Sequence, residues 1–137
     1  MSELHKPLRV FVVDDEDVIA SSLAMILRFQ SGFHARSFTN PLEALQAARL
    51  DAPDLLISDV VMPELSGIDL AIQLRAYCPD CKVLLFSGQA ASAQLLESAR
   101  GKWYTFEILM KPVHPADLLA KIQDVTEGAQ LPSVQEP

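Results

Sequence analysis

Five short, apolar and branched segments alternate with helical stretches along this chain, and that alternation restricts the fold more than any other feature. The segments are LRVFVV (8–13), HARSF (34–38), DLLISD (54–59), KVLLFS (82–87) and FEILM (106–110). Strands that alternate with helices imply a parallel sheet covered by helices on both faces. The sequence therefore predicts an α/β fold with a single five-stranded parallel sheet in a doubly wound (βα)5 arrangement.

Helix signals occupy the intervals between the strands. Asn40 and Pro41 are typical of an N-cap and a first helical residue, so the second helix is expected to run from there through Arg49. Ser66 can cap a third helix, and a fourth is predicted over residues 90–100. The other sequence signals are periodic apolar faces, at Ile19, Leu23, Ile26 and Leu27 in the first helix and at Leu118, Leu119, Ile122 and Val125 in a fifth helix that begins at Pro115. The first helix is expected to end with Gly32 at its C′ position.

The chain has 137 residues, half of them hydrophobic, which suits one domain with one core. We place that domain at residues 8–126, after an N-terminal extension at 1–7. The segment AQLPSVQEP after Gly128 has two prolines and no periodic pattern, so residues 127–137 are expected to form a disordered tail or a linker stub. We expect no second domain after it.

Charge and hydropathy exclude some classes of partner. A net charge of −7 disfavours nucleic acid, because phosphate backbones are bound mainly by clustered Lys and Arg. No apolar run reaches the roughly 18 residues of a spanning helix, and the first residues lack the apolar core of a secretory signal. We therefore expect a cytoplasmic protein without a membrane partner.

Both cysteines, Cys78 and Cys81, stand in the sequence YCPDCK. This Cys-x-x-Cys spacing suits a redox pair or half of a zinc site, but zinc would need two more ligands and the three histidines are isolated in sequence. A reactive pair also gains thiolate character at a helix N-terminus, whereas this pair follows a predicted helix. We interpret both residues as ordinary cytosolic thiols.

Polar side chains end four of the five predicted strands. Asp14 and Asp15 follow the first strand, Asp59 ends the third, Ser87 the fourth, and Lys111 follows the fifth. The carboxyl ends of parallel strands meet in one crevice, where ligands of open α/β sheets bind. Alone, such residues are more often N-caps, turn residues or surface charges, but all five stand at predicted strand ends.

Three carboxylates in one pocket repel one another unless a cation neutralises them. All-oxygen ligation suits a hard ion that keeps several waters, above all Mg²⁺. A carboxylate beside magnesium, with a lysine and a hydroxyl able to meet phosphoryl oxygens, is an arrangement for forming an aspartyl phosphate. Glu16 and Asp17 are expected in the first turn of the following helix, where the helix dipole favours negative charge.

The motifs VVDDE, SDVVMPELSG, LFSG and MKP stand in the order and approximate spacing of a known family. Over residues 8–126 the chain resembles the receiver domains of bacterial two-component response regulators. Four ordered motifs together are specific where any one of them is weak. The resemblance implies a flavodoxin-like strand order 2-1-3-4-5 and a phosphorylation-activated switch rather than an enzyme.

The resemblance also implies a role for each site residue. Asp59 matches the phosphoacceptor, supplied by a histidine kinase or a phosphotransfer protein. Asp14, Asp15 and Asp59 match the Mg²⁺ ligands, with the backbone carbonyl of Val61 as a further one. Ser87 and Lys111 match the hydroxyl and the lysine that contact the phosphoryl group, and a cis Lys111–Pro112 bond is expected.

Three features depart from the family pattern or lie beside it. The aromatic residue usually found three positions before the lysine is replaced by Ile108, and Phe106 is a candidate substitute on the same strand face. The segment SARGKWYTFEI carries Trp103 and Tyr104, which either contact a partner or pack over the sheet edge. Val61 and Gln89 stand where the family tunes dephosphorylation.

Other functions compete with the switch. A magnesium-dependent phosphohydrolase with an aspartyl nucleophile usually has a second acid two residues later, where this chain has Val61. A scaffold that is never phosphorylated would gain nothing from repelling carboxylates. A redox switch at Cys78 and Cys81 is the third alternative. For the leading hypothesis, output passes through an unidentified protein, and a homodimer is one arrangement that the sequence leaves open.

Overall fold

A computed structural model of the chain describes residues 7–30, 32–88 and 106–130. Within these ranges lie five strands and four helices. The strands are β1 (Leu8–Val13), β2 (Phe33–Phe38), β3 (Leu55–Asp59), β4 (Lys82–Ser87) and β5 (Glu107–Met110). The helices are α1 (Asp17–Arg28), α2 (Pro41–Leu50), α3 (Gly67–Tyr77) and a C-terminal helix (Pro115–Gln130).

The strands form one parallel sheet in the order β2-β1-β3-β4-β5. This confirms the predicted fold class and strand order. The chain reverses its direction of winding between β1 and β3, which are hydrogen-bonded neighbours with Val13 opposite Ser58. The crevice beyond that pair is the switch point at which open α/β sheets bind their ligands.

Alternation along the strands divides the core into two apolar layers. Val10 and Val12 of β1 pack with α1 and the C-terminal helix, whereas Phe11 and Val13 pack with α2 and α3. Successive side chains of a strand point to opposite faces, and a parallel sheet with both faces covered needs apolar residues at every position. All five residues of β3 are buried, and the first three, at 55–57, are apolar for this reason.

Two helix starts confirm the capping signals of the sequence. The Asn40 side chain accepts a hydrogen bond from the N–H of Leu42 at 2.8 Å, with Pro41 as the first helical residue. The Ser66 hydroxyl accepts one from the N–H of Asp69 at 3.0 Å. Each cap satisfies one backbone donor that would have no partner in the first turn.

Several boundaries differ from the prediction. Helix α1 ends at Arg28, so Gly32 is not its C′ residue; Gly32 has a φ of +100° in the turn before β2, and its carbonyl accepts a hydrogen bond from the N–H of Leu8. The C-terminal helix passes residue 126 and ends at Gln130, because one glycine weakens a helix without ending it. Residues 131–137, the predicted helix over 90–100, and Gln89, Trp103 and Tyr104 lie outside the described residues.

Among the residues that the structure describes, no helix combines the length and apolar composition needed to cross a bilayer.

Candidate functional site

The polar residues predicted to share a pocket lie just beyond adjacent strands of the sheet. Asp14 follows the last residue of β1, and Asp59 is the last residue of the neighbouring β3. Ser87 ends β4 opposite Met110 of β5, and Lys111 comes directly after Met110. The backbone N–H of Lys111 donates to the carbonyl of Ser87 at 3.0 Å, which ties the ends of β4 and β5 together.

Three carboxylates converge at this edge. One oxygen each from Asp14, Asp15 and Asp59 lies within 4.8 Å of the others. Their exposure differs: Asp14 is fully buried, Asp59 is 9% exposed, and Asp15 is open to solvent. Two negative charges are thus held in a partly dry site and a third lies at its mouth.

Lys111 lies between the two buried carboxylates. Its Nζ is 3.2 Å from Oδ1 of Asp59 and 3.5 Å from Oδ2 of Asp14. Oδ1 of Asp14 accepts a hydrogen bond from the N–H of Glu16 at 2.9 Å, whereas Oδ2 is buried and has no hydrogen-bond partner among the described residues. One ammonium is therefore the main local compensation for two carboxylates.

The protonation of these groups reflects that imbalance. Burial raises the pKa of Asp14, and the lowering by the Glu16 N–H and the Lys111 ammonium does not offset it. Burial likewise raises the pKa of Asp59 more than Lys111 lowers it. Burial would lower the pKa of Lys111, but the two carboxylates outweigh it and raise that pKa, so the amine stays charged. The site is electrostatically unfavourable to the carboxylates and would be relieved by an added cation.

The donor set fits a divalent cation with hard-ligand chemistry. It offers carboxylate oxygens from three residues and one buried oxygen that lacks a hydrogen-bond partner. Magnesium takes oxygen ligands and keeps several waters, and the exposure of Asp15 leaves one side open to solvent. Among the residues that the structure describes, the cluster contains no thiolate or imidazole ligand.

Backbone packing fixes the loop between β3 and α3. The N–H of Val60 donates to the carbonyl of Phe86 at 3.1 Å, and the N–H of Gly67 donates to the carbonyl of Val60 at 2.8 Å. The Val61 side chain is 41% exposed beside this anchored residue. Ser87 is buried at the neighbouring strand end. These contacts hold the start of α3 against the end of the strand that carries Asp59.

Two glycines beside the site were not singled out by the sequence. A Cβ on Gly67 would lie 2.0 Å from the backbone oxygen of Asp59, and one on Gly88 would lie 3.0 Å from Cβ of Lys111. Gly67 therefore permits the close approach of α3 to β3. The sequence signal for this role was that a glycine directly follows the helix cap Ser66, at the first position of the helix.

Phe106 immediately precedes β5 and packs against the apolar layer formed with α2 and α3. The Arg75 guanidinium lies 5.4 Å from the centre of its ring. Ile108, at the position where the aromatic was expected, is half-buried. A role for Phe106 in place of that aromatic stays a prediction.

Both cysteines are free. Burial raises the pKa of Cys81 to about 12, and its thiol is almost fully buried. Nucleophilic attack and metal binding require the thiolate. The Cys81 environment therefore disfavours the redox and metal alternatives.

A crevice at the switch point of a parallel sheet, lined by three carboxylates and a lysine, is typical of doubly wound α/β proteins, which bind ligands at the carboxyl ends of their strands. The family model for the response regulator receiver domain matches residues 10–123. The chain belongs to this family, as its motifs indicated.

Individual relatives agree with the family match. The response regulator receiver protein CpdR of Brucella abortus is 30% identical over 121 residues, which cover 88% of this chain and 98% of CpdR. The probable transcriptional regulatory protein TcrX of Mycobacterium tuberculosis is 37% identical over 86 residues, which cover 63% of this chain and 36% of TcrX. The match thus spans about a third of the length of TcrX.

A solved structure gives the same result. The crystal structure of a response regulator receiver domain protein from Clostridium thermocellum superposes with a TM-score of 0.78 at 26% identity. The match covers 90% of this chain and 98% of that chain. The receiver fold therefore accounts for nearly the whole sequence.

Proposed function

We propose that this chain is a phosphorylation-activated signalling switch that accepts a phosphoryl group on Asp59 from a histidine kinase or a phosphotransfer protein. The observation that carries the proposal is the pairing of Lys111 with both Asp14 and Asp59 beside a third carboxylate. A receiver whose site had degenerated would have no reason to keep three carboxylates that raise one another's electrostatic energy.

In this proposal an oxygen of Asp59 attacks the phosphorus of the donor phosphohistidine. The new O–P bond forms as the P–N bond breaks, and the electron pair of that bond stays on the donor imidazole. The Lys111 ammonium neutralises charge on the transferred oxygens, and the Ser87 hydroxyl donates a hydrogen bond to one of them. Burial of Asp59 excludes water that would otherwise compete for the phosphoryl group.

Magnesium is the proposed cofactor, held by Asp14, Asp15 and Asp59 with the Val61 carbonyl as an additional ligand. When bound, the ion supplies positive charge that screens the carboxylates from one another and stabilises the transferred phosphoryl oxygens. Asp14 would help to hold the ion with a buried carboxylate whose Oδ2 has no hydrogen-bond partner among the described residues. Asp15 contributes from the open side.

The output of the switch is proposed to be binding of another protein, and the chain is proposed to act as a phosphoacceptor rather than as an enzyme. Val61 stands where an aspartyl phosphohydrolase would usually need its second acid. We also propose a cytoplasmic location, because Cys78 and Cys81 are both free thiols, as is usual in a reducing compartment.

The surface of α1 beside the site is the proposed docking face for the phosphodonor. Val18, Met25 and Phe29 share one side of the helix and are 74%, 52% and 80% exposed. Next to them an apolar groove of about 510 Å³ runs between α1 and the loop after β5, and Lys111 and Pro112 line its other wall. A donor that delivers a phosphoryl group to Asp59 must cover the surface next to Lys111, and an apolar helical face suits a helix of the donor.

Replacing Met25 by Asp should weaken that docking by placing a charge in an apolar interface. We expect transfer from a purified phosphohistidine donor to slow by about tenfold or more, since one hot-spot residue contributes on the order of 1–2 kcal/mol. Labelling by acetyl phosphate, which needs no protein contact, should be unchanged. Equal loss with both donors would contradict the docking face. Leu50→Asp, an exposed position on α2, is the matched control.

The main experiment is intact-mass analysis after incubation with acetyl phosphate, with and without magnesium. We expect one labile phosphoryl adduct on the wild type, none on Asp59→Asn, and little without the metal. Asp54→Asn, directly before the first residue of β3 and far from Asp59, is the matched control and should be labelled like the wild type.

A stable fold without an adduct, from acetyl phosphate and from purified histidine kinases alike, would contradict the proposal. The alternative, a scaffold that is never phosphorylated, would then be favoured. An adduct that persists in Asp59→Asn would leave the chemistry intact and show that another residue is the acceptor.

A further inference from the structure

A cationic hollow lies at the β2 edge of the sheet. It has a volume of about 400 Å³ and is lined by the polar side chains Arg9, Arg28, His34, Arg36 and Asp51, with Phe33 among the apolar ones. We call it the arginine hollow. Three guanidinium groups against one carboxylate give it a positive charge, although the chain as a whole carries a net charge of −7.

Of the side chains that line the hollow, Arg36 has the most hydrogen-bond donors without a partner among the described residues. Its guanidinium lies over the rings of Phe11 and Phe38, at 5.6 Å and 5.0 Å from their centres. Among the described residues no hydrogen bond or ion pair satisfies its five N–H donors. Cation–π contacts with two rings hold the group in place and leave its N–H donors free to bind an oxyanion.

The other two arginines are positioned by backbone contacts. Arg28 donates through Nε to the carbonyl of Ala35 at 2.9 Å, so its remaining N–H groups are available. Arg9 donates to the carbonyl of Asp51 at 3.0 Å and pairs with the Asp51 carboxylate at 2.6 Å. These contacts reduce the side-chain entropy that a ligand would have to remove on binding.

The hollow is separate from the phosphorylation site. Arg9 is near the start of β1 and Asp14 follows its end, five residues later, which corresponds to about 16 Å along a strand. Arg36 also lines an adjoining hollow that contains Glu43, but the two side chains form no ion pair. Asp51 therefore balances Arg9, whereas the charge of Arg36 has no ion-pair partner among the described residues.

The edge of β2 is poorly suited to pairing with a peptide strand. Gly32 and Phe38 direct their carbonyls to β1, so the alternate residues Phe33, Ala35 and Ser37 direct their backbone groups outward. Arg28 already occupies the outward carbonyl of Ala35. Because this backbone group is already occupied, the edge of β2 disfavours addition of a peptide strand and favours a small ligand.

From these observations we propose that the arginine hollow binds a small multivalent oxyanion, carrying phosphate or carboxylate groups, with Arg36 as its principal ligand. Planar guanidinium groups match both kinds of oxyanion through paired N–H donors. The volume of the hollow lies in the range of small-molecule sites. The proposal does not depend on phosphorylation of Asp59.

The test is an amide NMR titration of the full chain in buffer free of divalent cations, with sodium pyrophosphate and sodium citrate as separate probes. We expect shifts of the backbone amides of Arg9 and residues 34–36. Arg36→Gln should raise the Kd by about tenfold or more through the loss of charged hydrogen bonds. Arg75→Gln is the matched control, because Arg75 also lies over an aromatic ring, that of Phe106, but lines neither the arginine hollow nor the adjoining one.

Each result decides the proposal. Binding of either probe that is weakened in Arg36→Gln and unchanged in Arg75→Gln supports it, and the probe that binds identifies phosphate or carboxylate as the preferred group. Equal weakening in both variants would show nonspecific attraction to surface charge and overturn it. Absence of shifts around the hollow at millimolar concentrations of both probes would also overturn it.

Discussion

The two ends of β1 differ in how their charged side chains are arranged. At its carboxyl end Asp14 is fully buried, and Lys111 is shared between it and Asp59. Near its amino end Arg9 is partly exposed and paired with Asp51 at 2.6 Å. The first arrangement holds like charges together in a dry site, whereas the second pairs opposite charges in contact with water.

The difference separates function from stability. Like charges in a buried site cost folding free energy and are useful only if a ligand compensates them. An exposed ion pair contributes little in either direction, because water screens it. The acidic end should therefore become more stable when a charge is removed, and the arginine end should become slightly less stable.

The largest effect is expected from the backbone contact that supports the acidic end. Gly67→Ala would place a Cβ 2.0 Å from the backbone oxygen of Asp59, so α3 must move away from β3. We expect the free energy of unfolding to fall by about 2–3 kcal/mol, as in other overpacked sites. Urea denaturation of the metal-free protein measures the loss.

Gly88→Ala is the control for that change. Its Cβ would lie 3.0–3.4 Å from Cβ, Cγ and Cδ of Lys111, so a shift of a few tenths of an ångström relieves the contact, whereas the contact at Gly67 is far closer and involves the backbone. The loss there should be about 1 kcal/mol or less. If the two variants lose equal stability, rigid backbone packing is not what holds the acidic end.

A smaller effect of opposite sign tests the comparison directly. Asp14→Asn removes a buried charge but keeps an oxygen that can accept from the Glu16 N–H, so it should raise the free energy of unfolding by about 1 kcal/mol in the absence of magnesium. Asp51→Asn removes one partner of an exposed pair and should lower it by about 0.5 kcal/mol, less at high salt. Chemical denaturation of both variants gives the two values.

The gain from Asp14→Asn should also depend on pH. Burial raises the folded-state pKa of Asp14 above the ordinary 3.8, so the folded protein holds the proton more tightly than the unfolded chain. The wild type therefore loses stability as the pH rises from about 3.8 through the folded-state pKa. The difference in free energy of unfolding between Asp14→Asn and the wild type should be small near pH 4 and largest near neutrality. A difference independent of pH would show that it arises from packing rather than charge.

Much of the fold was predictable because its signals are local. The bounds of β1 and β4 agree with the segments identified in the sequence, and the caps at Asn40 and Ser66 lie where predicted. A cap depends on a side chain and a backbone donor two or three residues away. The order of the strands followed from the family resemblance rather than from local patterns.

Other features depend on contacts between distant parts of the chain. The cation–π contact of Arg36 with Phe11 joins β2 to β1. The close approach of Gly67 to Asp59 depends on how α3 packs against β3. Gly32 illustrates a local signal with two meanings, since a glycine with positive φ suits a helix end and a turn before a strand equally well.

The sequence by itself determined which chemical groups stand at the strand ends: carboxylates after β1 and β3, a hydroxyl at the end of β4 and an amine after β5. Only the tertiary structure decided that three carboxylates lie within 4.8 Å, that Lys111 pairs with two of them, and that Asp14 is buried while Asp15 is exposed. Asp14 and Asp15 are identical residues that follow each other in sequence. Their environments differ because burial depends on which strands and helices pack around each side chain.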